Sequence, residues 1–469
     1  MPPPDDPPST GAAPASPGGG ASIRVRRGLR FLPLVGLVYT LSAGGTFGPE
    51  EIVAASGPAL AILLILVMPI FYGLPLGLAA GEMASRFPVE GGYYRWIRRI
   101  FGDFWGFQAG WAAWLGAFCD GAVYAVFAAE YFEALLKSVL PEGWAHLARH
   151  LFVFVIIATC TLANLRGIHL VGWTSVMFNL FALSPFLLMS VLGVFQWSYT
   201  PFVWARPEGQ GWMGSLGVGA LVAMWCYSGY ESLSTAAEEL EDPRRNYVRA
   251  ILISILITVP IYLLPLMVGL ATTPDWTKVE AGFYTQIAWA IGGAGLGTWV
   301  AASGMLCNIN LFNAYTLAYS RIPFAMAQDG FMPKVLARTH ARFGTPWVSI
   351  LAGAVIYGAL TRLDLQTLLV VEMWLFSLIY ILIYLALWRI RCRPELDVPA
   401  AGAFRFTIPG GRLGIWLVIA PPMLLILAAM FFSGAEYILW GGPALLSGVV
   451  LYPLALRLRR RHAAGIGGR

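Results

Sequence analysis

Apolar stretches of about 20 residues recur along almost the whole chain, each long enough to cross a bilayer as a helix. Lipid offers no partner to a backbone N–H or C=O, so each stretch must satisfy its own groups, and a helix does that within one segment. A globule in water is excluded: of 469 residues, 58% are hydrophobic and only 12% charged, too little charge to cover a surface. The expected class is therefore an all-α integral membrane protein. We place helices near 31–54, 58–81, 93–136, 150–165, 169–196, 211–237, 247–271, 283–325, 346–361, 365–390, 412–432 and 436–457, which makes twelve transmembrane helices. The third and eighth stretches are too long for a simple span and must tilt or run past the membrane.

The formal net charge of +6 does not point to nucleic acid, because the basic residues sit in short loops between apolar stretches. Arg24, Arg26, Arg27 and Arg30 flank the first stretch. Further clusters are Arg95, Arg98 and Arg99, then Arg244, Arg245 and Arg249, then Arg321, Lys334, Arg338 and Arg342, then Arg389, Arg391 and Arg393. The alternate loops carry about one basic residue each: Lys137, Arg149, Arg206, Lys278 and Arg362. This asymmetry places both termini in the cytoplasm of a protein of the cell (plasma) membrane. Residues 1–22, MPPPDDPPSTGAAPASPGGGAS, have no apolar period and are expected to form a disordered cytoplasmic tail rather than a signal peptide. Cys119, Cys160, Cys226, Cys307 and Cys392 show no paired or metal-type spacing and read as reduced packing residues.

Two stretches carry poor helix formers at mid-depth. The first reads LPLVGLVYTLSAGGTFGPEE, and the sixth reads LVAMWCYSGYESLSTAAEE, with Ser228 and Gly229 at its centre. Each backbone group freed by a break costs several kcal/mol in hydrocarbon, so the break is tolerable where it lines a cavity. Two interrupted helices, five spans apart, are the pattern of an inverted-repeat transporter. Half-helix N-termini offer N–H groups to an anion and half-helix C-termini offer carbonyls to a cation. Close packing of small residues is the structural alternative.

Intramembrane acids are costly and are functional candidates. Glu231 follows the second break, Asp120 lies mid-way along the third stretch and Glu372 inside the tenth. Each reads as a proton-titrating group, a counter-charge for a substrate amine, or a carboxyl bonded to a neighbouring helix. Glu50 and Glu51 follow the first break, where they attract cations at a mouth or end a solvated helix. Phe47, Trp225, Tyr227 and Tyr230 flank the breaks and gate a cavity or hold a cation over a ring face. The sequence shows no metal cluster, nucleotide loop or nucleophile–base pair, so neither an enzyme nor a cofactor is expected.

With these residues in view the chain resembles the amino acid–polyamine–organocation superfamily of transporters. The resemblance rests on SAGGTFGPEE, WCYSGYESLSTAAEELEDPRRN, RIPFAMAQDGFMPKVLARTHARFGTP and FRFTIPGG. With FPVEGGYYRWIRRIFGDFWGFQAGW added, the similarity is strongest to the plant polyamine-uptake branch, also called plant L-type amino acid transporters. It implies a LeuT-type fold of two inverted five-helix repeats plus two helices. The first repeat covers 23–196, the second 197–393, and 394–469 holds the last two helices and a basic C-terminus. It implies substrate binding along Ser42, Ala43, Gly44, Gly45 and Thr46, and along Trp225, Cys226, Tyr227, Gly229 and Tyr230, with Asp120 and Tyr124 alongside. Glu231 and Glu372 are implied in proton coupling or amine recognition. The chain departs from that branch at Leu76, Ala113 and Met373, where the branch has an acid, a lysine and an asparagine. The expected function is a secondary active transporter, proton-coupled symporter or exchanger, for amino acids or polyamines. Its partners are that small solute, protons and membrane lipids. A sensor that binds solute without moving it is the rival from another class, and a long soluble signalling domain would favour it.

Overall fold

A computed structural model describes residues 29–43, 47–136, 141–209, 211–279, 282–362, 365–396, 406–432 and 435–466. The tail expected over residues 1–22, and Gly44, Gly45 and Thr46, lie outside the described residues. Those described are helical with no strand among them, only an isolated bridge between Leu29 and Leu240. Among the described residues nine helices are long and apolar enough to cross a membrane, and three shorter apolar ones accompany them, Phe31–Ala43, Trp212–Cys226 and Trp347–Leu360.

The first expected span is two helices, α1 (Phe31–Ala43) and α2 (Pro49–Ser56). The second, expected over 58–81, runs further, through α3 (Pro58–Met68), a π turn over Pro69–Gly73, and α4 (Leu74–Arg86). Pro69 explains the turn, since it has no N–H to give to the carbonyl one turn back. That carbonyl, Ile65, instead accepts the Tyr227 hydroxyl at 2.9 Å.

The third stretch, expected as one helix over 93–136, is divided at Gly102 into α5 (Gly92–Phe101) and α6 (Asp103–Leu136). Gly102 sits at φ +90°, a left-handed conformation that any other residue adopts only under strain. The short α5 is amphipathic, with Arg95, Arg98 and Arg99 on one side and buried Tyr93, Trp96 and Ile97 on the other.

After α7 (Glu142–Arg166) and α8 (Ile168–Val194), the sixth stretch ends as α9 (Trp212–Cys226). A short 3₁₀ helix over Ser232–Glu239 follows the break. Then come α10 (Pro243–Thr272), α11 (Phe283–Gln328), α12 (Trp347–Leu360), α13 (Leu365–Cys392), α14 (Gly411–Phe432) and α15 (Ala435–Ile466). The eighth stretch, expected as one long helix, is α11, kinked at Gly293. The long α6 and α11 pack along one another, with α8 against α11 and α13 against α6; α1 packs against α8, α10 and α11, and α2 against α9.

One end of the bundle is tied by charge. Glu82 of α4 is fully buried; its carboxylate accepts Arg391 of α13 through two bonds of 2.7 and 2.6 Å, Arg86 at 3.1 Å and the Ile408 N–H at 2.8 Å. Such a bidentate pair fixes two helices and the lead into α14 in one register. Removing one partner of a buried pair leaves the other charge uncompensated, at about 3–5 kcal/mol. Glu82→Ala is expected to lower the thermal unfolding midpoint in detergent by several degrees. An unchanged midpoint would show that the cluster is not stabilising.

Candidate functional site

Both breaks meet at one place. The end of α1 leaves the Ala43 carbonyl, and the end of α9 leaves the Cys226 carbonyl, without helical partners. The Tyr262 hydroxyl of α10 reaches both; its bond to Cys226 is 3.1 Å. Tyr315 of α11 donates to the Leu41 carbonyl at 2.8 Å, and Tyr247 of α10 donates to the Tyr230 carbonyl. Hydroxyls from neighbouring helices thus replace the N–H groups that an intact helix would have supplied.

The two breaks also touch directly. Gly229 has φ +89°, and a Cβ built there would lie 1.9 Å from the Leu41 carbonyl oxygen and 2.9 Å from the Tyr315 hydroxyl. Only glycine permits both this conformation and this approach.

Around the junction stand three acids. Asp120 of α6, Glu231 and Glu372 of α13 are 1%, 0% and 3% exposed. Asp120 accepts the Tyr319 hydroxyl at 3.4 Å and faces Glu372, which also lies within hydrogen-bonding reach of Trp225. Glu231 accepts Ser232 at 3.2 Å and Tyr380 at 3.4 Å through one oxygen. Each acid keeps one oxygen without a partner: Asp120 Oδ1, Glu231 Oε2 and Glu372 Oε2. Among the described residues no lysine or arginine pairs with any of the three.

An aromatic row joins these carboxyls. Tyr124 stacks on Trp225 at 6.3 Å and on Tyr315 at 5.3 Å, Tyr315 stacks on Tyr319 at 5.1 Å, and Phe376 links Tyr319 to Tyr380. The row therefore starts beside Glu372, passes Asp120 and ends on Glu231. Trp225 and Ser228 stay half-buried while Cys226, Tyr227 and Tyr230 are buried.

The second half of the first helix has its own acid. Glu50 is 2% exposed, and its Oε2 accepts the Gly48 N–H at 3.3 Å. The reading of Glu50 as a solvated helix end is thereby corrected: its carboxyl folds back onto the amino end of α2.

Of the residues singled out in the sequence, Asp120, Tyr124, Trp225, Cys226, Gly229, Tyr230, Glu231 and Glu372 converge here, with the carbonyl of Ala43. Ser42 bonds back to the Val38 carbonyl at 2.7 Å, within its own helix. Tyr227 is spent on Ile65, and Phe47 packs on Tyr131, Phe186 and Tyr284. The sequence did not nominate Tyr247, Tyr262, Tyr315, Tyr319 or Tyr380. Their one signal is a polar ring inside an apolar helix, since a buried tyrosine hydroxyl seeks a partner.

A sequence profile of the family described as amino acid permease matches residues 29–448. Polyamine transporter RMV1 of Arabidopsis thaliana is 32% identical to this chain over 431 residues, 92% of this chain and 86% of its own length. Polyamine transporter PUT1 of Oryza sativa subsp. japonica is 31% identical over 445 residues, 94% of this chain and 80% of its own length. An uncharacterized transporter of Mycobacterium tuberculosis is 27% identical over 366 residues, 73% of this chain and 75% of its own.

Tyr262→Phe removes the donor from two buried carbonyls, at about 1–3 kcal/mol for each group left unsatisfied. It is expected to cut solute uptake in proteoliposomes at least tenfold while the protein still elutes as a single folded species. Uptake within twofold of the parent would show that Tyr262 does not hold the two breaks together.

Proposed function

The chain belongs to the amino acid permease family, and on that premise we propose that it carries amine-bearing solutes across a membrane by alternating access, with polyamines as the preferred substrate class. The observation that carries this reading is the trio Asp120, Glu231 and Glu372, buried, each with an unpartnered oxygen and, among the described residues, paired with no lysine or arginine. Buried carboxylates need a countercharge, and a substrate with several ammonium groups supplies one to each acid. The spacing along the aromatic row suits an extended cation, whose charged groups would meet ring faces between the acids. Two relatives are named polyamine transporters, which supports the same class. Amino acids are the second reading, favoured by the paired half-helix ends and by the name of the family.

In this reading the arrangement is LeuT-like, with twelve spans made of the nine long apolar helices and the three shorter ones. Residues 23–196 and 197–393 are the inverted repeats, residues 394–469 hold the last two helices, and both termini face the cytoplasm of the cell membrane. Ser42–Thr46 and Trp225–Tyr230 line the substrate path. Glu231 is the proton-exchanging group: it lies just beyond the second break, near Tyr72, Tyr93, Tyr380 and Tyr384, and a bound ammonium would replace its proton. That exchange couples transport to protons, as symport or as antiport.

A competition panel in proteoliposomes under an imposed pH gradient tests the substrate class. Putrescine and spermidine are expected to displace a labelled polyamine at concentrations at least tenfold below those of leucine or arginine; the reverse order would replace polyamines by amino acids. Glu231→Gln is expected to flatten the pH dependence of uptake. A pH profile that still followed the parent would remove Glu231 from the coupling role.

A further inference from the structure

The amino end of α2 is a half-helix end at this junction to which a substrate carboxylate would be drawn, because helix N-termini hold free N–H groups and the positive end of the dipole. It is already filled. Glu50 is almost wholly buried, its Oε2 accepts the Gly48 N–H at 3.3 Å, and its carboxyl also meets the Gly282 N–H that opens α11. The filled end lies beside the unpaired acids: a Cβ at Gly48 would lie 3.3 Å from the Trp225 ring, and Trp225 reaches Glu372, whose Oε2 has no partner.

We infer that Glu50 is a specificity-determining residue that stands in for a substrate carboxylate and so excludes α-amino acids in favour of amines that lack one. An amino acid entering this site brings its carboxylate to an end whose donors are already committed and whose nearest group is another carboxyl. To bind there it would have to displace Glu50, whose carboxyl would then lose its N–H partners in a buried setting. A diamine makes no such demand and uses only the acids on the other side of Trp225. This inference rests on the reading that the site binds amines.

Matched pairs differing by one carboxylate supply the test. Ornithine is putrescine bearing a carboxylate, and lysine is cadaverine bearing one. Competition against labelled putrescine in proteoliposomes gives, for each pair, the ratio of half-inhibitory concentrations of amino acid to diamine. The wild-type ratio is expected to exceed tenfold for both pairs. In Glu50→Ala it is expected to fall at least tenfold, mainly because ornithine and lysine improve. Glu50→Gln keeps the shape of the cap and removes the ionisable carboxyl, so a threefold or larger fall is expected. It decides the matter if the alanine variant does not fold. Ratios unmoved in variants that still take putrescine, or a wild type that accepts ornithine as readily as putrescine, overturn the role of Glu50 alone. Failure of both diamines to compete in wild type overturns the reading of an amine site and this inference with it.

Discussion

A carbonyl left without a donor in an apolar interior costs several kcal/mol, and this chain leaves such carbonyls at the ends of α1 and α9. Tyr262 resolves two of them at once by bonding both Ala43 and Cys226, and it thereby locks the two broken helices to one side chain. Tyr315 on Leu41, Tyr247 on Tyr230 and Tyr227 on Ile65 follow the same logic. The scaffold is thus obliged to bring α10 and α11 against the breaks. Of these two, α11 also carries Tyr315 and Tyr319 of the aromatic row, so there satisfying the backbone and building the site are one event.

Polar atoms at this junction fall into two groups. The backbone carbonyls are satisfied by tyrosine hydroxyls, while Asp120, Glu231 and Glu372 each keep an oxygen in reserve. A stable core leaves few such atoms open, because each carries the full cost of its lost hydration. Their concentration beside two broken helices sets this region apart from the charge cluster at Glu82, where Arg86, Arg391 and the Ile408 N–H surround the carboxylate. The one cluster holds helices together; the other leaves carboxyl oxygens open.

The glycines of both breaks were legible as poor helix formers. Gly229 was visible as part of a break, but the need for glycine there comes from the Leu41 carbonyl, which belongs to another helix. The π turn at Pro69 was not anticipated, and the hydroxyl that completes it comes from Tyr227. The division of the third stretch at Gly102 escaped the hydropathy pattern because α5 is amphipathic and keeps apolar residues on one side throughout.

By itself the sequence determined the helical class, the positions of both breaks and the three intramembrane acids, because hydropathy, helix-breaking residues and rare buried charges are local properties of the chain. Only the tertiary structure decided that Asp120 faces Glu372, that Glu50 closes the amino end of α2 and that Tyr262 joins two helix ends 183 residues apart, Ala43 and Cys226. Those relations depend on which faces of separate helices meet, and packing sets that, since an apolar helix in lipid carries no strong pattern to say which side must turn inward.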